Sequence, residues 1–339
     1  MQKPTPRPEV YESYWRFAAE RQHIFEARVM GKPWPWTQNR ILRQYKFCNV
    51  YRAADRVSQY LIRNIIYSDE NVEEDDLFFQ IVAFRFFSNI ATWESVRDIL
   101  GHSPRLCDLE SGAFEKALAL TQQHNKNLYT GAFILCATNA YGRPLKYQNH
   151  IELFRDMFLK SNLASRILLA KSLKGLYETL HTFPLMGDFM SYQIAIDLNY
   201  SPLVNYSEND FTQPGPGAIR GIKKVFLDLG DLTPQEAIMW MVEHQQDEFD
   251  RLGLEFHGLW GRPIHAIDAQ NLFCEIDKYC RVAFPELLSS RSRIKTQYTP
   301  TSKPLTLFFP PKWGINEKMG KATTGGRLLL SQGILEFES

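Results

Sequence analysis

Apolar and polar positions alternate with a helical period along almost the whole chain. In EVYESYWRFAAERQHIFEARV, Tyr14, Phe17, Ala18, Ile24 and Phe25 recur at spacings of three, four and seven, which lines them along one helix face. In NVYRAADRVSQYLIRNIIY the apolar stripe runs through Tyr51, Ala54, Val57, Tyr60, Leu61 and Ile65. Arg52, Arg56, Gln59 and Arg63 fall on the opposite side as one basic ridge. The same period predicts helices over DDLFFQIVAFRFFSNI, TWESVRDIL, GAFEKALALTQQ, HIELFRDMFLK, FMSYQIAIDLNY, GAIRGIKKVFLDL, TPQEAIMWMVEHQQDEFDRL and AQNLFCEIDKYCRV. Thr92, and Thr233 with Pro234 behind it, read as helix starts. LASRILLAKSLKGLYETLH is expected as one long helix ending near His181. With no alternating β–α units and no internal repeat, the fold class expected is all-α.

Past Pro285 the pattern breaks. The stretch SSRSRIKTQYTPTSKPLTLFFPPKWG is rich in Ser, Thr, Pro and Lys and predicts a loop-rich C-terminal extension, anchored by Phe308, Phe309 and Trp313. Three parts follow: an N-terminal helical part over residues 1–150, a second helical part over 151–286, and a basic extension over 287–339.

Composition narrows the class. With 339 residues, 44% hydrophobic and 23% charged, the chain can bury a sizeable core, and disorder is excluded as the default. MQKPTPRPEV has no apolar signal-peptide core and no later run approaches a membrane span, so a cytoplasmic protein without membrane contact is expected. The five cysteines, Cys48, Cys107, Cys136, Cys274 and Cys280, form no C-x-x-C pair, which argues against a disulfide framework or a four-cysteine metal site. Net charge is only +1, yet it is unevenly spread. Residues 1–63 hold 12 Lys plus Arg against 5 Asp plus Glu, and residues 287–327 hold 8 against 1. Two basic segments on an otherwise acidic body fit either solvated faces or the flanks of a DNA cleft.

Four stretches carry candidate chemistry. FPLMGDF, between two helical patterns, makes a helix, hairpin, helix sequence in which Gly187 permits close approach. The second helix offers unpaired N–H groups and a partial positive charge to a phosphate. QPGPGAIRGIKK is a glycine-rich turn opening a helix. Gly215, Gly217, Arg220, Gly221, Lys223 and Lys224 either meet a phosphate there or mark close packing that demands small residues. It is not a G-x-x-x-x-G-K-[ST] loop, so an embedded kinase is not supported.

In HAIDAQNLFCEIDKYCRV, Asp268, Asn271, Glu275 and Lys278 share one helix face, which is either a solvated surface or a reader of base edges. Gln270 and Asn271 would supply paired donors and acceptors, and Glu275 a second carboxylate. His265 with Asp268 lacks a third close partner, and no metal is expected. Trp34, Trp36, Tyr45, Phe47 and Tyr51 surround Asn49 and Arg52, as pocket wall for a flipped base or as core.

FPLMGDFMS resembles the hairpin of helix-hairpin-helix DNA glycosylases, L-P-G-x-G-x-x-T-A, which a functional aspartate follows some twenty residues on. Asp210 of NYSENDF stands at that distance. Leu185 replaces the first hairpin glycine. Phe189 stands where bifunctional members carry a nucleophilic lysine, so the resemblance implies a monofunctional enzyme. The blocks WPWTQNRILRQYKFCNVYRAADRVSQYL, QPGPGAIRGIKK and GRPIHAIDAQNLFCEIDKYCRV are together similar to a wider helical family, over roughly residues 10 to 285. It comprises the α-glutamyl/putrescinyl-thymine pyrophosphorylases and the helical domain of hydroxymethyluracil DNA kinases, whose members hypermodify phage DNA bases or, as antiphage glycosylases, excise them.

The resemblance implies a glycosylase-like fold acting without a cofactor on phage DNA with modified pyrimidines. Asp210 would be the catalytic carboxylate, backed by Asp268 and Glu275, because breaking an N-glycosidic bond develops positive charge on the sugar. Turn capping is the other use of Asp210. A hypermodifying transferase that displaces pyrophosphate and a non-enzymatic reader of modified DNA are the alternatives.

Overall fold

The computed structural model describes residues 2–124, 127–131, 139–287, 294, 296–301, 305–320, 328–330 and 333–335. The chain is all-α among these residues, with two short antiparallel strand pairs added. Two compact units emerge, and their divisions fall after residues 55 and 210 rather than at 150 and 286. One unit combines Met1–Asp55 with Phe211–Ser339, and the other is the continuous segment Arg56–Asp210.

The discontinuous unit begins with strand β1 (Thr5–Pro6), helix α1 (Pro8–Val29) and the short α2 (Arg40–Gln44). Helix α1 starts on Pro8, whose missing N–H costs nothing in the first turn. It buries Val10, Tyr14, Trp15, Phe17, Ala18, Ile24 and Phe25, the face expected from the spacing. Asn39 caps α2 by accepting from the Ile41 and Leu42 N–H groups.

The continuous unit holds α3 (Arg56–Leu61), α4 (Glu74–Phe87), α5 (Ile90–Leu100), α6 (Leu106–Ser111), α7 (Ala113–His124), α8 (Lys146–Phe154), α9 (Leu163–Leu169), α10 (Leu173–His181) and α11 (Asp188–Asn199). From Leu77 onward helix α4 is apolar but for Gln80 and Arg85, and it is buried all round, as such a sequence requires. Phe79 meets Phe114, Phe154 and Phe158 edge to face, and Phe84 meets Trp93 in the same way. Arg85 of α4 makes a fully buried, two-pronged ion pair with Asp197 of α11.

Three local expectations are corrected in this unit. Asn89, not Thr92, caps α5, and the Thr92 hydroxyl instead donates to the Leu128 carbonyl inside the core. The expected long helix ending at His181 is two helices, because Ser172 accepts the Gly175 N–H and restarts the chain as α10. The basic ridge does not form. Residues 52–66 pass from a 3₁₀ turn (Arg52–Ala54) through α3 to a π-helical stretch (Ile62–Ile66), so a single 3.6-residue phase does not hold. Arg52 and Gln59 are buried at 4% and 7% exposure, while Arg56 stays exposed.

The discontinuous unit resumes with α12 (Pro216–Val225), β2 (Phe226–Asp228), α13 (Pro234–Glu243), α14 (Gln245–Arg251) and α15 (Ala266–Ala283). Strands β1 and β2 pair antiparallel, tying the two stretches of this unit together. Thr233 and Glu236 form a reciprocal capping box that opens α13, as the sequence predicts. Helix α15 is the axis of the core, packed on α1 through Phe273 against Tyr14 and through Tyr279 against Phe17. Of the three expected anchors of the extension, Phe309 and Trp313 pack on the body and Phe308 is half-buried. Phe309 is fully buried, stacks on Trp313 and packs on Trp260, and the Arg262 guanidinium lies 3.8 Å over the Trp313 ring. Most of the extension's basic side chains, and Cys136, lie outside the described residues. The backbone of β3 (Leu328–Leu330) and β4 (Gly333–Leu335) forms an antiparallel pair.

Candidate nucleic-acid interface

In the continuous unit, α10 and α11 flank a hairpin over residues 182–187. The hairpin is built around Leu185, whose φ of +66° lies in the left-handed region. That conformation is the one a glycine adopts without penalty, and for leucine it costs about 1 kcal/mol or more. The hairpin therefore keeps its turn even though the first expected glycine is missing. Gly187 is the N-cap of α11, is exposed, and has open space where a Cβ would stand. No side chain caps the N-terminus of α11. Backbone N–H groups at an uncapped helix start are natural partners for a phosphate oxygen. Phe189 is half-buried in the first turn of α11.

The far end of the same helix fixes the loop that carries Asp210. The buried Asn199 amide donates to the Tyr206 carbonyl at 2.9 Å and accepts the Tyr206 N–H at 2.8 Å. The Tyr206 hydroxyl donates to the Ala170 carbonyl at 2.5 Å. Asp210 closes a turn through its N–H to the Ser207 carbonyl and is exposed. One twelve-residue helix thus spans from the hairpin to the root of the Asp210 loop.

The candidates of the discontinuous unit cluster on α15 and the loop over residues 45–55. Asp268 and Glu275, each 3% exposed, are turned inward. Asp268 accepts the Arg52 N–H at 2.9 Å and, as a helix cap, the His265 N–H at 3.2 Å. Glu275 accepts the Cys48 N–H at 3.2 Å and an ammonium hydrogen of Lys278. The two carboxylates clamp one loop to one helix, so of the two readings the solvated surface does not hold for Asp268 and Glu275, which lie in a buried seam. Burial alone would lower the Lys278 pKa, but the Glu275 carboxylate outweighs it and holds the amine charged. Asn49 knits the loop together: its side chain donates to the Ala54 carbonyl and accepts from Arg21, and its N–H donates to Asp55. Burial raises the Asp55 carboxyl to about 6, opposed by the Asn49 N–H and by Arg21.

Trp36, Phe47 and Tyr51 are buried in packing contacts rather than lining an open wall. Trp36 donates to the Lys32 carbonyl, Phe47 sits against Phe17 and Tyr279, and the Tyr51 hydroxyl donates to the Arg262 carbonyl. Asn271 is half-buried. Gln270 is fully buried, and among the described residues neither polar atom of its amide has a hydrogen-bond partner.

For QPGPGAIRGIKK the packing alternative accounts for two of the glycines. A Cβ on Gly221 would stand 1.9 Å from the Phe273 carbonyl oxygen, and one on Gly217 would stand 2.8 Å from the Cys274 Sγ. Gly215 is the buried N-cap of α12. Arg220, Lys224 and Arg281 converge on the buried Asp277 carboxylate, at 3.1, 3.0 and 2.5 Å, while Lys223 is exposed. Burial works against the Asp277 anion, and the Arg281 and Lys224 charges prevail and hold its pKa below the usual range. Sequence reasoning missed both this hub and Arg166 beside the hairpin, because long-range pairing leaves no mark on local periodicity.

A sequence model of the family described as "5-hmdU DNA kinase, helical domain" matches residues 8–289. The chain belongs to this family. A 5-hmdU DNA kinase of Bacillus phage SP10 is 25% identical over 287 residues, covering 80% of this chain and 45% of that protein. The chain thus spans under half the length of that relative. No solved structure gives a significant match. The family match takes in both units, including the hairpin, the α12–α15 crossing and the loop clamped by Asp268 and Glu275. Among the described residues no helix is long and apolar enough to cross a membrane.

Proposed function

We propose that this chain processes DNA carrying hydroxymethylated or further modified pyrimidines, and that its reaction is hydrolysis of the N-glycosidic bond of a base extruded from phage DNA. The observation that carries this reading is α11, with an uncapped N-terminus at the hairpin and a buried Asn199 that fixes the Asp210 loop at the other end. A phosphate gripped at one end of a rigid helix gives the carboxylate at the other a fixed station along the strand. Asp210, exposed to solvent, is available to steady the oxocarbenium-like sugar and to orient a water. Such an activity suits antiphage defence. Asp210→Asn is expected to abolish base release while leaving DNA affinity within about twofold. Full activity in that variant would remove Asp210 from the chemistry.

The name of the family, and of the phage relative, favours a second reading, in which a group is added to the base instead. Phosphoryl transfer by this chain would need a nucleotide site, and it has no G-x-x-x-x-G-K-[ST] loop. The form of addition that fits is attack by the nitrogen of an amine or amino acid on the methylene of an already activated hydroxymethyl-pyrimidine, forming a C–N bond as the C–O bond to pyrophosphate breaks and pyrophosphate leaves. Incubation with hydroxymethyl-pyrimidine DNA, activated and not, separates the two. With an amine or amino acid present, free base with alkali-labile strands supports excision, and intact strands carrying an amine-substituted base together with released pyrophosphate support addition.

A further inference from the structure

We propose that Arg166 is a phosphodiester-binding residue of the hairpin, and that Asp188 opposes it. The inference rests on the reading that the hairpin meets DNA. Arg166, in the last turn of α9, lays its guanidinium over the Phe183 ring, 5.0 Å from the centroid, and donates from Nη2 to the Thr182 Oγ1 at 3.1 Å. The Thr182 hydroxyl proton is already committed to the Thr179 carbonyl at 2.8 Å, so its lone pair faces the guanidinium. The group is thereby held in position against the turn, while among the described residues most of its N–H donors remain unused. Among the described residues its contacts include no carboxylate. A guanidinium held against an aromatic ring with donors to spare is prepared for two-pronged binding of a phosphate.

The start of α11 does not complete the site by itself. Asp188, its first residue, is exposed and puts a negative charge where the helix dipole would otherwise draw an anion. Its Oδ1 accepts the Tyr177 hydroxyl at 2.9 Å and lies 3.6 Å from the His181 Nε2. With the dipole's pull partly answered from within, a full positive charge is needed to hold the strand, and Arg166 supplies it on the hairpin itself.

The test is duplex binding by the full chain, read by fluorescence anisotropy on a hydroxymethyluracil-containing oligonucleotide across a salt series. Each phosphate neutralised contributes about 0.9 to the slope of log affinity against log salt. Arg166→Ala and Arg166→Gln, the second keeping an amide donor for Thr182, are expected to flatten the slope by about one. They should weaken binding roughly fivefold to twentyfold at low salt without moving the melting temperature. Asp188→Asn should tighten binding severalfold. An unchanged slope in both Arg166 variants, with normal wild-type binding, overturns the assignment and leaves the hairpin reading standing. Wild-type protein that does not bind the duplex overturns both.

Discussion

At the scale of single residues, the polar groups with the most to lose are those turned inward. Asp55 is ionised at neutral pH against a burial penalty that lifts its carboxyl from 3.8 to about 6. Because the folded state binds the proton more tightly than the unfolded one, the stability contributed by this group is fully present below about pH 4. It is lost as pH rises through about 6. Two pKa units correspond to something on the order of 3 kcal/mol. Asp55→Asn, which keeps an oxygen for the Asn49 N–H, is expected to flatten the stability profile between pH 4 and 6 and to stabilise the protein at pH 7.5. Urea denaturation across that range checks it, and a profile parallel to wild type refutes it. Such roles were only half legible in sequence. That Asp268 and Glu275 share a helix face followed from spacing, but that the face looks inward onto the Arg52 and Cys48 N–H groups depends on a loop more than two hundred residues away.

At the scale of elements, the crossing of α12 on α15 depends on absent side chains. Gly221→Ala sets a methyl group against a backbone carbonyl that cannot turn aside, so the helices must part, at an expected loss of about 3 kcal/mol. Gly217→Ala meets the flexible Cys274 side chain instead, and should cost about 1 kcal/mol, recovered when Cys274→Ala is added. Additive effects of Gly217→Ala and Cys274→Ala in a double-mutant cycle would count against this contact.

The hairpin makes the opposite demand, since Leu185 occupies a left-handed conformation. Leu185→Gly is expected to keep DNA affinity, and Leu185→Val, whose branched Cβ resists that conformation, to lower it severalfold. Equal affinities would show that the turn is unimportant for binding. Helix positions were the most legible part of the sequence, because each needs only its own period. The breaks were missed at Ser172, where a cap interrupts an unbroken apolar pattern, and over residues 52–66, where the helix type changes within one stripe.

At the scale of the whole molecule, a chain of net charge +1 has little long-range pull on DNA. If contact is confined to the hairpin and a few neighbours, the salt slope for duplex binding should be shallow, roughly −2 to −4. A slope steeper than about −6 would show that the basic extension over residues 287–339 also engages the strand. The all-α class and the family were readable from the sequence, yet the unit boundaries were not. Periodicity is local, whereas the pairing of β1 with β2 and of α1 with α15 joins segments from opposite ends.

That discontinuity sets an order of events during synthesis. The segment Arg56–Asp210 has all its own contacts in one continuous stretch and can settle as it leaves the ribosome. Helix α1 cannot, for although Phe47 meets Phe17 early, Phe273 and Tyr279, which pack on Tyr14 and Phe17, lie on α15. At ordinary elongation rates these arrive roughly ten to fifty seconds later. Through that interval much of the apolar stripe of α1 stays uncovered, which makes this helix a segment with a need of a chaperone until α15 arrives.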